Sequence, residues 1–225
     1  MAMPIRPCPY CKTLVPVLPL SPERMDGVMR AIHGEQPALA VLELMDAAAC
    51  KKSEALAWLA HREVCVPCLP LQGPDAEVLS VVVDAFAGME RPDHFTDITC
   101  CEECRDHDAT LAATCPDTLQ RKDLGHVGWN PLSFCTGEAT AYLFPALVRI
   151  TLHRNAWPCY EWYGCQLLWK LAQDKSANTF WHFCTPRQRQ AVAHLLAHLL
   201  EHWADLISDY QCDDEYLAAL TLWAE

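Results

Sequence analysis

The chain has 225 residues, 52% of them hydrophobic, with eight Trp and only 20% charged side chains. It can bury a real core, which excludes a disordered chain. The net charge of −12 all arises after residue 70: residues 1–70 hold seven Lys/Arg and seven Asp/Glu, whereas residues 71–225 hold ten against twenty-two. Such a surface repels phosphate backbones, so it disfavours nucleic-acid binding and suits a basic protein partner. The plainer alternative is that the charge only keeps a Trp-rich chain in solution.

The fourteen cysteines begin at Cys8, before any apolar leader could form, so the expected setting is a reducing cytoplasm. There, close cysteine pairs read as metal ligands and isolated ones as small buried hydrophobes. No apolar run approaches the roughly 18 residues of a membrane span, so no membrane role is expected.

In chain order, Cys8-Pro-Tyr-Cys11 opens the sequence, and the segment Leu14-Val-Pro-Val-Leu-Pro-Leu20 is too rich in proline to be helical. Ser21-Pro22-Glu23 is a helix start, and a helix is predicted over 22–32, ending near Gly34. Two more helices are predicted over 36–49 and 53–61, before a second knuckle, Cys65-Val-Pro-Cys68. Leu69-Pro-Leu-Gln-Gly-Pro74 reads as a linker.

Beyond it, Val78, Val81, Val82 and Phe86 have helical spacing within 75–89. A loop over 90–99 leads to a cysteine-rich helix over 101–113 and an irregular stretch over 116–131. An apolar helix over 136–153 should kink at Pro145, and a further helix covers 160–172. Thr185-Pro-Arg-Gln188 is a capping box. The helix it starts is predicted to run on to Tyr210, burying Val192, Leu195, Leu196, Leu199, Leu200, Trp203, Leu206, Ile207 and Tyr210. A last helix is predicted over 213–223. The expected fold is therefore mainly α. A zinc-ribbon-like module with a three-helix insert occupies 1–70, a linker 71–74, and an acidic all-α helical bundle 75–225.

Two C-x2-C turns offer one ion four soft thiolates, so Cys8, Cys11, Cys65 and Cys68 are predicted to share a structural zinc. The 53 residues between the pairs exceed the usual ribbon spacing, and compact helices would return the chain to its start. The alternative is two unrelated thiol pairs. Cys-Pro-Tyr-Cys is also the redox motif of glutaredoxins, but the expected strand before it and helix after it are missing here.

A second candidate site is His94, Cys101, Cys104 and His107, the last three at helical intervals on one face. The competing reading makes Cys100 and Cys104 core residues. His194, His198 and His202 recur every four residues on an edge shared with Glu201 and Asp205. That edge reads as a polar surface able to chelate zinc, without the glutamate of the H-E-x-x-H protease motif.

Residues 38–44 and 52–58, Ala-Leu-Ala-Val-Leu-Glu-Leu and Lys-Ser-Glu-Ala-Leu-Ala-Trp, resemble helices of the C-terminal domain of the bacterial ribosomal stalk protein, over about residues 36–62. That likeness implies a compact helical insert. The motifs His94-Phe-Thr-Asp97, Cys101-Glu-Glu-Cys104, Gly128-Trp-Asn-Pro131 and Tyr142-Leu-Phe-Pro-Ala146, with the Thr185 helix, resemble an uncharacterised bacterial family of unknown function over about residues 78–223. This second likeness implies one domain and no particular activity. With no phosphate loop, dinucleotide fingerprint or nucleophile elbow, the expected function is a non-enzymatic zinc protein that binds another protein, in an adaptor, regulator or immunity-type role. The alternative is a metal-dependent hydrolase using the 94–107 cluster or the 194–202 histidines.

Overall fold

A computed structural model describes residues 3–8, 13–21, 24–25, 27–28, 31, 37–64, 71–125, 128–153 and 162–224. The chain divides into two compact units, Met1–Leu69 and Pro70–Glu225. Helix dominates both, and the described strands are two short ones.

In the first unit, prolines restrict the start of the chain to extended backbone. Strands β1 (Ile5–Pro7) and β2 (Leu14–Pro16) pair antiparallel, with Arg6 opposite Val15. Cys8 follows β1 directly, is buried, and donates its N–H to Thr13 O at 2.8 Å, which closes the hairpin. Arg24, Met25, Gly27, Val28 and Ala31 are helical. Helices α1 (Pro37–Ala48) and α2 (Lys52–Val64) follow, joined through Ala49 at φ 50°. Val28, Val41, Leu44, Ala55 and Trp58 form the core of this unit. Glu54 accepts the N–H groups of Met3 and Lys51, both at 2.8 Å, which ties the start of the chain to α2.

The second unit contains α3 (Gly73–Ala85), α4 (Glu102–Ala112), a 3-10 turn at Arg121–Leu124, α5 (Pro131–Phe134), α6 (Gly137–Thr151), α7 (Gly164–Leu171), α8 (Thr179–Phe183), α9 (Pro186–His202), α10 (Ala204–Asp209) and α11 (Asp213–Trp223). Helix α6 lies at its centre. It is apolar on nearly every side, as a helix surrounded by protein must be, and it continues through Pro145. Phe144 on α6 meets Phe86 and Phe180 at centroid distances of 4.8 and 5.0 Å, and Phe180 meets Trp223 at 5.3 Å. Gly137 is needed where α6 crosses α8, since a Cβ there would sit 2.3 Å from Thr179 O.

Three expectations change. The stretch 116–131 is not wholly irregular: Gln120 and Asp123 form a capping box around the 3-10 turn, and Asn130 caps α5. The long helix from Thr185 stops at His202 and restarts at Ala204, because Trp203 adopts φ −133° and ψ 14°. That break turns the Trp203 ring inward, where it stacks on Trp162 at 6.0 Å. Leu200 and Tyr210, expected to be buried, are exposed.

Candidate metal centre at the start of α4

Cys101 is the N-cap of α4, with extended backbone at φ −159° and ψ 176°. Its sulfur accepts the amide N–H of Cys104 at 3.4 Å, as an N-cap oxygen would, and Cys104 Sγ lies 3.4 Å from Cys101 Sγ. The extended N-cap also brings in its neighbour. The sulfurs of Cys100, Cys101 and Cys104 all lie within 4.8 Å of one another, a group that can hold a metal ion. Cys100 and Cys101 are exposed and Cys104 is buried. The Cys104 amide, and then its thiol, hydrogen-bond to Cys101 and hold that thiol below its ordinary value. The same contact, with burial, pushes Cys104 up to about 12. Cys101 is thus the sulfur that ionises more readily, at a helix N-terminus that favours negative charge.

Hydrogen bonds tie this helix to the loop before it. Asp108, one turn beyond Cys104, accepts the amide N–H groups of Phe95 at 2.6 Å and Thr96 at 3.2 Å, and Thr96 donates its hydroxyl to Cys104 O at 2.6 Å. Burial raises the Asp108 pKa, but hydrogen bonds from His94 and from these two amides outweigh it and leave a net lowering. At the other end, Arg91 donates to Ala112 O and Thr114 O.

Of the four predicted ligands His94, Cys101, Cys104 and His107, the two thiols meet and the imidazoles lie outside the group. His94 Nδ1 is engaged by Asp108 Oδ2 at 3.1 Å. His107 is fully buried between Trp129 and Phe134, at centroid distances of 4.5 and 4.7 Å, with Glu103 3.5 Å from Nε2. The residue absent from the predicted ligand set is Cys100, for which the sequence offered only the competing reading as a core residue. Its signal was the Cys-Cys doublet directly before a helix start.

For the other predicted site, Cys8 has the place given above, while Cys11, Cys65 and Cys68 lie outside the described residues. The histidine edge of α9 is not one polar face. His194 and His202 are exposed, but His198 is buried, with Nε2 2.6 Å from Asp75 Oδ1. The same oxygen accepts Trp203 Nε1–H at 3.0 Å. A second thiol pair lies elsewhere, with Cys165 Sγ 3.2 Å from Cys212 Sγ.

No protein-family model, curated protein or solved structure matches the chain. No described helix is long and apolar enough to cross a membrane.

Proposed function

We propose that this chain is a zinc-binding protein that acts by contacting another protein rather than by catalysing a reaction. The observation that carries the reading is the group Cys100, Cys101 and Cys104 at the start of α4. Thiolates suit zinc, and three of them leave one tetrahedral position for a further donor. A second, structural zinc is assigned to Cys8, Cys11, Cys65 and Cys68 in a zinc-ribbon-like module. It is supported by the spacing of the pairs and by burial of Cys8 where the hairpin closes. The acidic charge beyond residue 70 favours a basic partner surface in the cytoplasm. Hydrolysis at either histidine-containing site has less support, because carboxylates engage His94 and His198.

The geometry favours one further reading, reversible dithiol chemistry, since Cys101 and Cys104 sulfurs are 3.4 Å apart with the exposed one at a helix cap. Oxidation by a small-molecule disulfide would join the two sulfurs, and their two protons and two electrons would reduce that disulfide to two thiols.

Metal analysis of freshly purified chain tests the assignment, with Cys8→Ser/Cys65→Ser and Cys101→Ser/Cys104→Ser double variants beside it. We expect each variant to lose one zinc and the wild type to hold both. Metal-free protein that forms a Cys101–Cys104 disulfide with oxidised glutathione would favour the dithiol reading, and metal-free protein inert to it would sink both.

A further inference from the structure

The interior of the second unit holds a guanidinium with no counter-charge among the described residues. Arg121, only 2% exposed, spends Nη1 on Gly125 O at 2.6 Å. Its Nε and Nη2 are buried with no hydrogen-bond partner. These two N–H groups form the side-on edge of the guanidinium, the fork that accepts both oxygens of a carboxylate or two of a phosphate. Among the described residues no carboxylate lies within ion-pair distance of it.

The surroundings repeat the pattern. Arg121 Cζ stands 5.2 Å from the Tyr163 ring centroid, and the buried Tyr163 hydroxyl has no hydrogen-bond partner. Gln166, three residues on, has both amide atoms buried and unbonded. Lys170, a further turn along and 2% exposed, donates to Cys135 O at 3.1 Å. Tyr163, Gln166 and Lys170 recur at i, i+3 and i+7, so α7 turns a polar stripe with a positive charge into the protein. Buried polar groups are ordinarily paired, and a buried cation with neither anion nor water is strongly unfavourable. The arginine is also held in place. Gly125 has φ 65°, and a Cβ there would sit 1.9 Å from Trp129 O, so only glycine lets this loop present its carbonyl to Nη1.

We propose that this interior is a binding site for the oxyanion group of a small molecule, a carboxylate or phosphate. The anion sits on the Nε/Nη2 edge of Arg121, Tyr163 and Gln166 donate beside it, and Lys170 adds positive potential. The site shares no residue with the thiol group, and its test leaves every cysteine in place, so either assignment can fail alone.

Equilibrium dialysis of the full chain against inorganic phosphate, and separately against succinate, measures anion retained per chain. Native mass spectrometry of freshly purified protein detects a ligand carried through purification. We expect one equivalent of at least one anion, or a resident small-molecule mass. Arg121→Lys keeps the charge and loses the fork, so it should weaken retention roughly tenfold or more, or lose the resident mass. Should that variant not fold, Tyr163→Phe should fold and weaken retention measurably. Retention of phosphate alone identifies a tetrahedral anion, and of succinate alone a carboxylate. Equal retention by wild type and every folded variant, or no retention and no resident mass, overturns the proposal and leaves water as the occupant.

Discussion

At the scale of single residues, the thiol group depends on one dihedral pair. Helical periodicity puts Cys101, Cys104 and His107 on one face, but Cys101 is the cap and not the first helical residue, and its extended backbone places Cys100 among the sulfurs instead. His107 faces inward because Trp129 and Phe134 leave an aromatic slot for a flat ring. The two contacting sulfurs differ chemically: Cys101 gives up its proton below the ordinary thiol value, and Cys104 keeps its own up to about 12. Since the thiolate is the reacting form, iodoacetamide should modify Cys101 of chelator-treated protein with a midpoint below the roughly 8.5 of a free cysteine. Cys104 should stay unmodified at pH 8. Peptide mass spectrometry across pH 6–9 reads both, and equal rates at the two sites would contradict this difference between the two sulfurs.

At the scale of elements, helix ends were legible and helix interruptions were not. The Thr185–Gln188 capping box forms as its residue types require, with Thr185 N–H donating to Gln188 Oε1 at 2.9 Å. Nothing local marks Trp203 as a break. Its side-chain partner lies 128 residues earlier, Asp75 near the start of α3. That carboxylate accepts from Trp203 and contacts buried His198, so a single side chain pins α3 to the end of α9. Removing it takes this acceptor from buried His198 and Trp203. Asp75→Ala should therefore cost roughly 1–3 kcal/mol in urea denaturation followed by Trp fluorescence. Asp84→Ala, exposed on the same helix, should change stability by less than about 0.5 kcal/mol.

For the whole molecule, burial of thiols and a phenol sets the alkaline limit. Cys135 and Cys184 are pushed up to about 12, in each case chiefly by burial, and burial raises Tyr163 as well. In the unfolded chain these thiols ionise near 9.0, so above that pH the folded state binds more protons and stability falls as pH rises. Lys170, lowered by burial, works in the opposite direction as pH approaches 10.5, and one such group does not offset three. Each thiol contributes up to about 1.4 kcal/mol per pH unit. Urea denaturation at pH 8 and pH 10 should show a clear loss, smaller by roughly 1 kcal/mol in Cys135→Ala; an equal loss in that variant would mean Cys135 ionises freely in the folded protein. What the sequence determined by itself was local: a mainly helical chain, its proline-restricted extended start, its caps and the apolar α6, since propensity, capping and periodicity act within a few residues. What only the tertiary structure decided was which polar groups meet. Cys100 joining two other sulfurs, His198 turning to Asp75, and an arginine fork facing the interior all depend on segments brought together by packing, and packing distances are not written in local spacing.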